Sequence, residues 1–208
     1  IGAEHVALEE APFKSELIME AYIEENPGIL SDTEVKIVDS QLMIVHPWSG
    51  YKKNKGRIDL LALLDNQIPA VIELKKTVID VSAIKQLDEY LNEIKAISQA
   101  KFNSFFTTSD FVRDDEDIQI NRTDLIGIAV GAEIEANIIE QMRKKTWTNP
   151  KVISGCEISG ISLKRYSVTN DLTGHLYYFA ENYSPVGSTV SRVRFNDLKA
   201  AIEDSYKP

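Results

Sequence analysis

The chain has 208 residues, 43% of them hydrophobic and 26% charged, enough length to bury a core and too apolar for wholesale disorder. Lys and Arg number 23 against 32 Asp and Glu, a formal charge of −9, and a body of that sign repels phosphate unless its charge is unevenly spread. It is uneven: residues 1–34 hold nine acids and one base, a net of −8, which leaves −1 for residues 35–208. That remainder carries two basic clusters, Lys52, Lys53, Lys55 with Arg57, and Arg143, Lys144 with Lys145, so a polyanion can approach it locally. No apolar run reaches the roughly 18 residues of a transmembrane helix, and no basic-then-apolar segment opens the chain. The single Cys156 cannot form an internal disulfide, so the cytoplasm is the expected location and no membrane partner is expected.

Residues 13–25 predict a helix, with Phe13, Leu17, Met19, Ala21 and Ile23 as core candidates, Ser15 as its N-cap and Asn26-Pro27-Gly28 as its stop, since proline cannot continue a helix. Residues 35–38 and 42–45 predict a hairpin about Asp39-Ser40-Gln41, followed by a polar, basic loop over 47–56. Two apolar runs, 57–64 and 70–75, predict a second hairpin closed by Asp65-Asn66-Gln67. Ile84, Leu87, Leu91, Ile94 and Ile97 recur at spacings of three and four and predict a helix over 81–99. Strands are expected over 101–108 and 125–130, separated by an acidic loop at 114–117. A helix over 133–145 ends in three basic residues, which suit the negative end of its dipole. Strands over 159–166 and 175–179 and a short helix over 196–206 complete the chain. Helices alternating with strands make the class α/β with a mixed sheet.

The hairpin from Arg57 to Lys75 carries the chemistry. Side chains alternate across a strand, so Glu73 and Lys75 share one face and Ile72 and Leu74 the other. A three-residue turn at 65–67 makes paired positions sum to 132, which sets Asp59 opposite Glu73 and Arg57 opposite Lys75. Like charges directly opposite cost up to about 1 kcal/mol. A divalent cation between the carboxylates turns that repulsion into coordination, and the Lys75 ammonium could orient a bound water or offset charge on a phosphate. Read without these neighbours, Glu73-Leu74-Lys75 is an ordinary half-solvated strand.

Gly56-Arg57-Ile58-Asp59, thirteen intervening residues, then Glu73-Leu74-Lys75 resembles the core of the PD-(D/E)XK nuclease superfamily, and within it the NucS-type endonuclease domain. Ser15-Glu16, then Glu20 and Asn26-Pro27, is similar to that group's first helix, whose glutamate joins the active site. Gln86 and Tyr90 match its glutamine and tyrosine on the helix after the Glu-x-Lys strand. The likeness runs from Ser15 to Tyr90 and extends to about Lys145, with nothing matched in 150–208. Ile58 stands where the superfamily has its name-giving proline. The DNA-binding domain that precedes the nuclease domain in NucS proteins has no counterpart here, so their substrate choice does not carry over.

The resemblance implies a restriction-endonuclease-like core over residues 1–148, a central mixed sheet flanked by helices; residues 149–208, read from their own pattern, are expected to form a C-terminal strand and helix extension packed on the same domain. It implies hydrolysis of DNA phosphodiester bonds by a metal-activated water. Asp59 and Glu73 would ligate Mg²⁺ or Mn²⁺ with the Leu74 carbonyl as third ligand, and Lys75 would position the water. Glu16, preferred to Glu20 on alignment, would sit beside the metal. Gln86 and Tyr90 would contact the phosphate or brace Lys75, and Lys52, Lys53, Lys55 and Arg57 would steer the DNA. DNA is the expected partner, a homodimer is needed for concerted double-strand cutting, and the chain fits a place in a larger restriction, repair or mobile-element protein. The rival reading is a non-catalytic nucleic-acid-binding or protein-interaction module that retains the fold; RNA as substrate is weaker, for want of an RNA-reading module.

Other candidates carry less. His5, His46 and His175 lack metal-ligand spacing, Cys156 reads as a core thiol, and Gly127-x-x-x-Gly131 lacks the Lys-Ser/Thr of a phosphate loop. Trp147, Tyr177, Tyr178 and Phe179 are expected to pack rather than stack on bases.

Overall fold

In the computed structural model, which describes residues 8–44, 56–107, 120–168 and 176–183, the apolar runs assemble into one seven-stranded mixed sheet. Strand β1 (Leu8–Glu10) leads into helix α1 (Glu16–Glu25), which Ser15 caps by accepting the Ile18 N–H at 3.3 Å. Strand β2 (Val35–Ile44) pairs antiparallel with β3 (Gly56–Leu64), and β3 with β4 (Ile68–Ile79). The β3–β4 turn places Asp65 and Asn66 at φ 51° and 56°, with the Gln67 N–H donated to the Leu64 carbonyl at 3.0 Å. Two successive left-handed residues match the twist of the flanking strands.

The sheet then turns parallel. Helices α2 (Val81–Ala96) and α3 (Gln99–Thr107) carry the chain from β4 to the parallel strand β5 (Ile126–Ile134), and α4 (Ala136–Lys144) carries it on to β6 (Glu157–Val168), parallel again. Parallel neighbours need such crossovers because their ends lie a strand length apart. Strand β7 (Leu176–Tyr183) returns antiparallel along β6, and β1 pairs with the end of β6.

Alternation in β3 and β4 feeds two buried layers. Leu61, Leu63 and Val71 pack with Ile84, Leu87, Leu91 and Ile94 of α2 and Ile138 and Met142 of α4. Leu60, Ala62, Ile72 and Leu74 pack with Met19 and Ile23 of α1. Burial on both faces explains why these strands read as continuous apolar runs. The arrangement is a central mixed sheet flanked by helices, as the α/β reading of the sequence expects. Among the described residues no helix is long and apolar enough to cross a membrane.

Three expectations are corrected. The hairpin expected over 35–38 and 42–45 is, over the described residues 35–44, one strand: both halves pair with β3, and the Asp39-Ser40-Gln41 interruption is a register shift after Ile37 plus a left-handed Gln41 at φ 58°. Where a strand is expected over 101–108, the described residues to 107 hold a helix. Ser98 caps α3 by accepting the Lys101 N–H at 3.2 Å, and Phe102 and Phe106, four apart, are both buried in the core with their rings tilted at 54° and centroids 5.2 Å apart. The helix expected over 133–145 begins only at Ala136, because β5 continues to Ile134. The acidic loop at 114–117 and the helix at 196–206 lie outside the described residues.

Helix α2 is pinned at its far side as well. Buried Asp88 accepts the backbone N–H groups of Ile153 and Ser154 at 2.8 and 2.9 Å, and Lys95 donates to the Ser154 carbonyl at 2.7 Å. Asp88→Ala strands two donors without acceptors and is expected to cost about 2–4 kcal/mol in urea denaturation; a loss within experimental error of zero refutes the clamp.

Candidate active site

The β3–β4 ladder runs from Leu64 opposite Ile68 to Leu60 opposite Ile72, every pair summing to 132. The next rung would set Asp59 against Glu73, and there the backbone pairing stops. The Asp59 carboxylate instead accepts the Leu74 N–H at 2.8 Å. On the other edge, Ser40 pairs with Leu60 and Leu42 with Ile58, but the rung between them, Gln41 with Asp59, is absent. Asp59 therefore sits where both neighbouring strands leave regular pairing, while β4 stays paired to β5 through Lys75 opposite Gly131. Such an opening lets side chains enter space that backbone hydrogen bonds would otherwise fill.

Charge is concentrated in this opening. Glu73 is fully buried, and burial, with the neighbouring Asp59 charge, pushes its carboxyl up to about 7 against the pull of Lys75. One of its oxygens, Oε1, accepts Lys75 Nζ; the other, Oε2, is buried without a hydrogen-bond partner. Burial also raises Asp59, partly offset by the Leu74 N–H and by Lys75. Burial alone would lower Lys75, but its contact with Glu73 outweighs that and leaves it raised. The ammonium is thus held charged, suited to orienting and neutralising rather than to taking up a proton.

Lys75 is also held from the helix side. Its Nζ lies 3.4 Å from Gln86 Oε1, and Gln86 Nε2 donates to the Tyr90 hydroxyl at 2.8 Å. Gln86 and Tyr90 stand four apart on α2 and so share a face. Burial raises this phenol, and its contact with Gln86 offsets part of the shift. The Tyr90 ring lies so close to β3 that a Cβ at Gly56 would sit 2.6 Å from its Cε1, so glycine is required for the approach.

Asp59, Glu73, Lys75, Gln86 and Tyr90 thus form one connected cluster, with the Leu74 backbone inside it and the Leu74 side chain in the α1-side core. Glu16 is exposed in the first turn of α1, and its charge reaches Asp59, Glu73 and Lys75. Arg57 is exposed beside Asp59. Lys52, Lys53 and Lys55 lie outside the described residues. The second basic cluster belongs elsewhere: Lys144 pairs with Glu140, Lys145 with Glu157 at 3.4 Å, and Arg143 lies over the Tyr183 ring. Glu157 pairs with Ile126 at the start of β5, whereas Lys75 faces Gly131 toward its end.

Two further residues adjoin this region: Gln41, which no sequence pattern marks, and Glu20, which the alignment sets behind Glu16. Glu20, one turn beyond Glu16, is 5% exposed and accepts Gln41 Nε2. Its carboxyl is raised by burial, and the Asp59 charge adds to the shift. The available signal is its spacing, beside Met19 and three before Ile23, on the buried face of α1. Among the described residues no three His, Cys, Asp or Glu side chains form a cation-binding group.

No family model and no curated protein matches this chain. Among solved structures it is similar to EndoMS in complex with double-stranded DNA, at 17% identity and TM-score 0.40, over 72% of this chain and 45% of that one. A repair endonuclease from Pyrococcus abyssi is similar at 17% identity and TM-score 0.40, over 68% and 50%. NucC from P. aeruginosa in its cAAA-bound form is similar at 13% identity and TM-score 0.39, over 93% and 79%. The chain spans about half the length of the first two.

Proposed function

We propose that this chain is a metal-dependent endonuclease of the PD-(D/E)XK type that hydrolyses DNA phosphodiester bonds. The observation that carries the reading is buried Glu73 beside Asp59, with one oxygen on Lys75 and the other without a donor. A buried acceptor left unpaired costs about 1–3 kcal/mol, and a hard cation at Glu73 Oε2 removes that cost while cancelling the repulsion from Asp59. The residues therefore fit Mg²⁺ or Mn²⁺, held by Asp59, Glu73 and the Leu74 carbonyl. Such an ion supplies Lewis acidity and an acidified water.

The chain's own groups do the rest. Lys75, fixed between Glu73 and Gln86, orients the attacking water and offsets charge gathering on the phosphate oxygens. Gln86 and Tyr90 keep the ammonium in place, and Glu16 adds negative potential at the rim. Arg57, with Lys52, Lys53 and Lys55 before it, takes the flanking phosphates. DNA as the substrate rests on the Gly56-Arg57-Ile58-Asp59 and Glu73-Leu74-Lys75 resemblance.

The test is a panel of labelled single-stranded, duplex, mismatched and branched DNAs with Mg²⁺ or Mn²⁺, run beside Lys75→Ala protein. Cleavage that requires metal and vanishes in the control is expected; equal cleavage by both proteins rejects the reading. Replacing Lys52, Lys53 and Lys55 together by Ala should weaken DNA binding and flatten its salt dependence, the log–log slope falling by about 2–3. An unchanged slope removes that segment from the footprint.

A further inference from the structure

Glu20 is a buried carboxylate that the reaction above does not use, and burying a carboxylate is costly unless something nearby needs it. Its hydrogen-bond partner Gln41 stands in β2 at the position facing Asp59, between the pairs Ser40–Leu60 and Leu42–Ile58. Gln41 adopts φ 58°, a left-handed backbone that costs a non-glycine residue about 1–3 kcal/mol and persists only where surroundings enforce it. With Nε2 donated to Glu20, the atom left over is Oε1, and it is buried without a partner. Continuing both registers across the missing rungs puts Gln41, Asp59 and Glu73 in one row across β2, β3 and β4. Two acceptors, Gln41 Oε1 and Glu73 Oε2, thus wait for donors at either flank of Asp59.

We propose that Glu20 and Gln41 form the water-facing wall of the site: both accept hydrogen bonds from waters carried by a divalent cation at Asp59, and Gln41 is the positioning residue that holds Glu20 there. The inference rests on reading Asp59 and Glu73 as a cation site. Magnesium sheds its waters reluctantly, so a site with two carboxylates leaves several bound waters with protons to donate. Glu20 and Gln41 supply acceptors from two different elements, α1 and β2. This makes Glu20, rather than the exposed Glu16, the inner carboxylate of α1.

Calorimetric titration of the full chain with Mn²⁺, without DNA, decides the matter. Glu20→Gln and Gln41→Gly are each expected to weaken binding about 10-fold, the usual effect of losing a group that braces metal-bound ligands. The double variant should bind no more weakly than the poorer single one, because the two side chains act as a unit. Glycine suits the left-handed backbone at position 41, so Gln41→Gly is expected to fold, and its circular dichroism is checked alongside. Glu25→Gln, at the exposed end of the same helix, should bind as wild type does. If Glu20 and Gln41 only clip α1 to β2, their loss shifts the melting temperature and leaves Mn²⁺ affinity within twofold, which overturns the inference alone. A larger effect from Glu16→Gln than from Glu20→Gln also overturns it. Mn²⁺ binding that ignores Asp59→Asn and Glu73→Gln overturns both this inference and the nuclease reading.

Discussion

Asp59→Asn, Glu73→Gln and Lys75→Ala are each expected to slow metal-dependent DNA cleavage by about 10³-fold or more, the scale seen when a group that stabilises developing charge is removed. None of the three should unfold the protein. Asparagine at 59 keeps an oxygen to accept the Leu74 N–H, which is the structural half of that side chain's work. Glutamine at 73 removes a buried charge with little change of shape. Alanine at 75 leaves Glu73 without its cation, but a carboxyl already raised to about 7 takes up a proton more readily still. Initial rates on labelled DNA, with far-ultraviolet circular dichroism as the folding control, provide the measurement. Cleavage persisting at near wild-type rate in all three would remove the cluster from the reaction.

The second large effect needs no substrate. Glu73 titrates near 4.5 as a free side chain and at about 7 in the folded, metal-free protein. The folded state therefore binds this proton more tightly than the unfolded one. Its contribution to stability is fully present below pH 4.5, declines as pH rises toward 7, and is lost above it. At 1.36 kcal/mol per unit the decline totals about 3 kcal/mol. Glu73→Gln carries no such proton, so in urea denaturation with chelator its stability relative to wild type should climb by about that amount over the same window. Mn²⁺ added above that window should stabilise the wild type through binding linkage and leave Glu73→Gln unmoved. A difference between the two proteins that does not change with pH would contradict the burial of Glu73.

Much of this arrangement is legible in the residues. Asp65-Asn66-Gln67 fixes the hairpin register, and the register alone aligns positions 59 and 73. The stripe Ile84, Leu87, Leu91, Ile94 fixes α2 and with it the face that carries Gln86 and Tyr90. The failures share a cause, which is that local chemistry was overruled from a distance. Asp39 and Ser40 favour turns, but both flanks of that tripeptide find the same partner strand. Glutamine carries no preference for left-handed backbone, so nothing local announces Gln41. Glu20 looks like any solvated helix glutamate because its partner is 21 residues away. Phe102, Phe105 and Phe106 suggest a strand by type, while the spacing of four between the first and last belongs to a helix.

The Asp88 clamp has a bearing on how short a version of this protein can be and still hold the proposed site together. Gln86 and Asp88 are two residues apart on one helix, so the helix that steadies Lys75 is itself fixed by backbone at Ile153 and Ser154. A truncated fragment ending before those residues would keep Asp59, Glu73, Lys75, Gln86 and Tyr90 yet lose the anchor that sets the axial position of α2. A shift of one residue along α2 is about 1.5 Å, enough to pull the Gln86 amide away from the ammonium it holds.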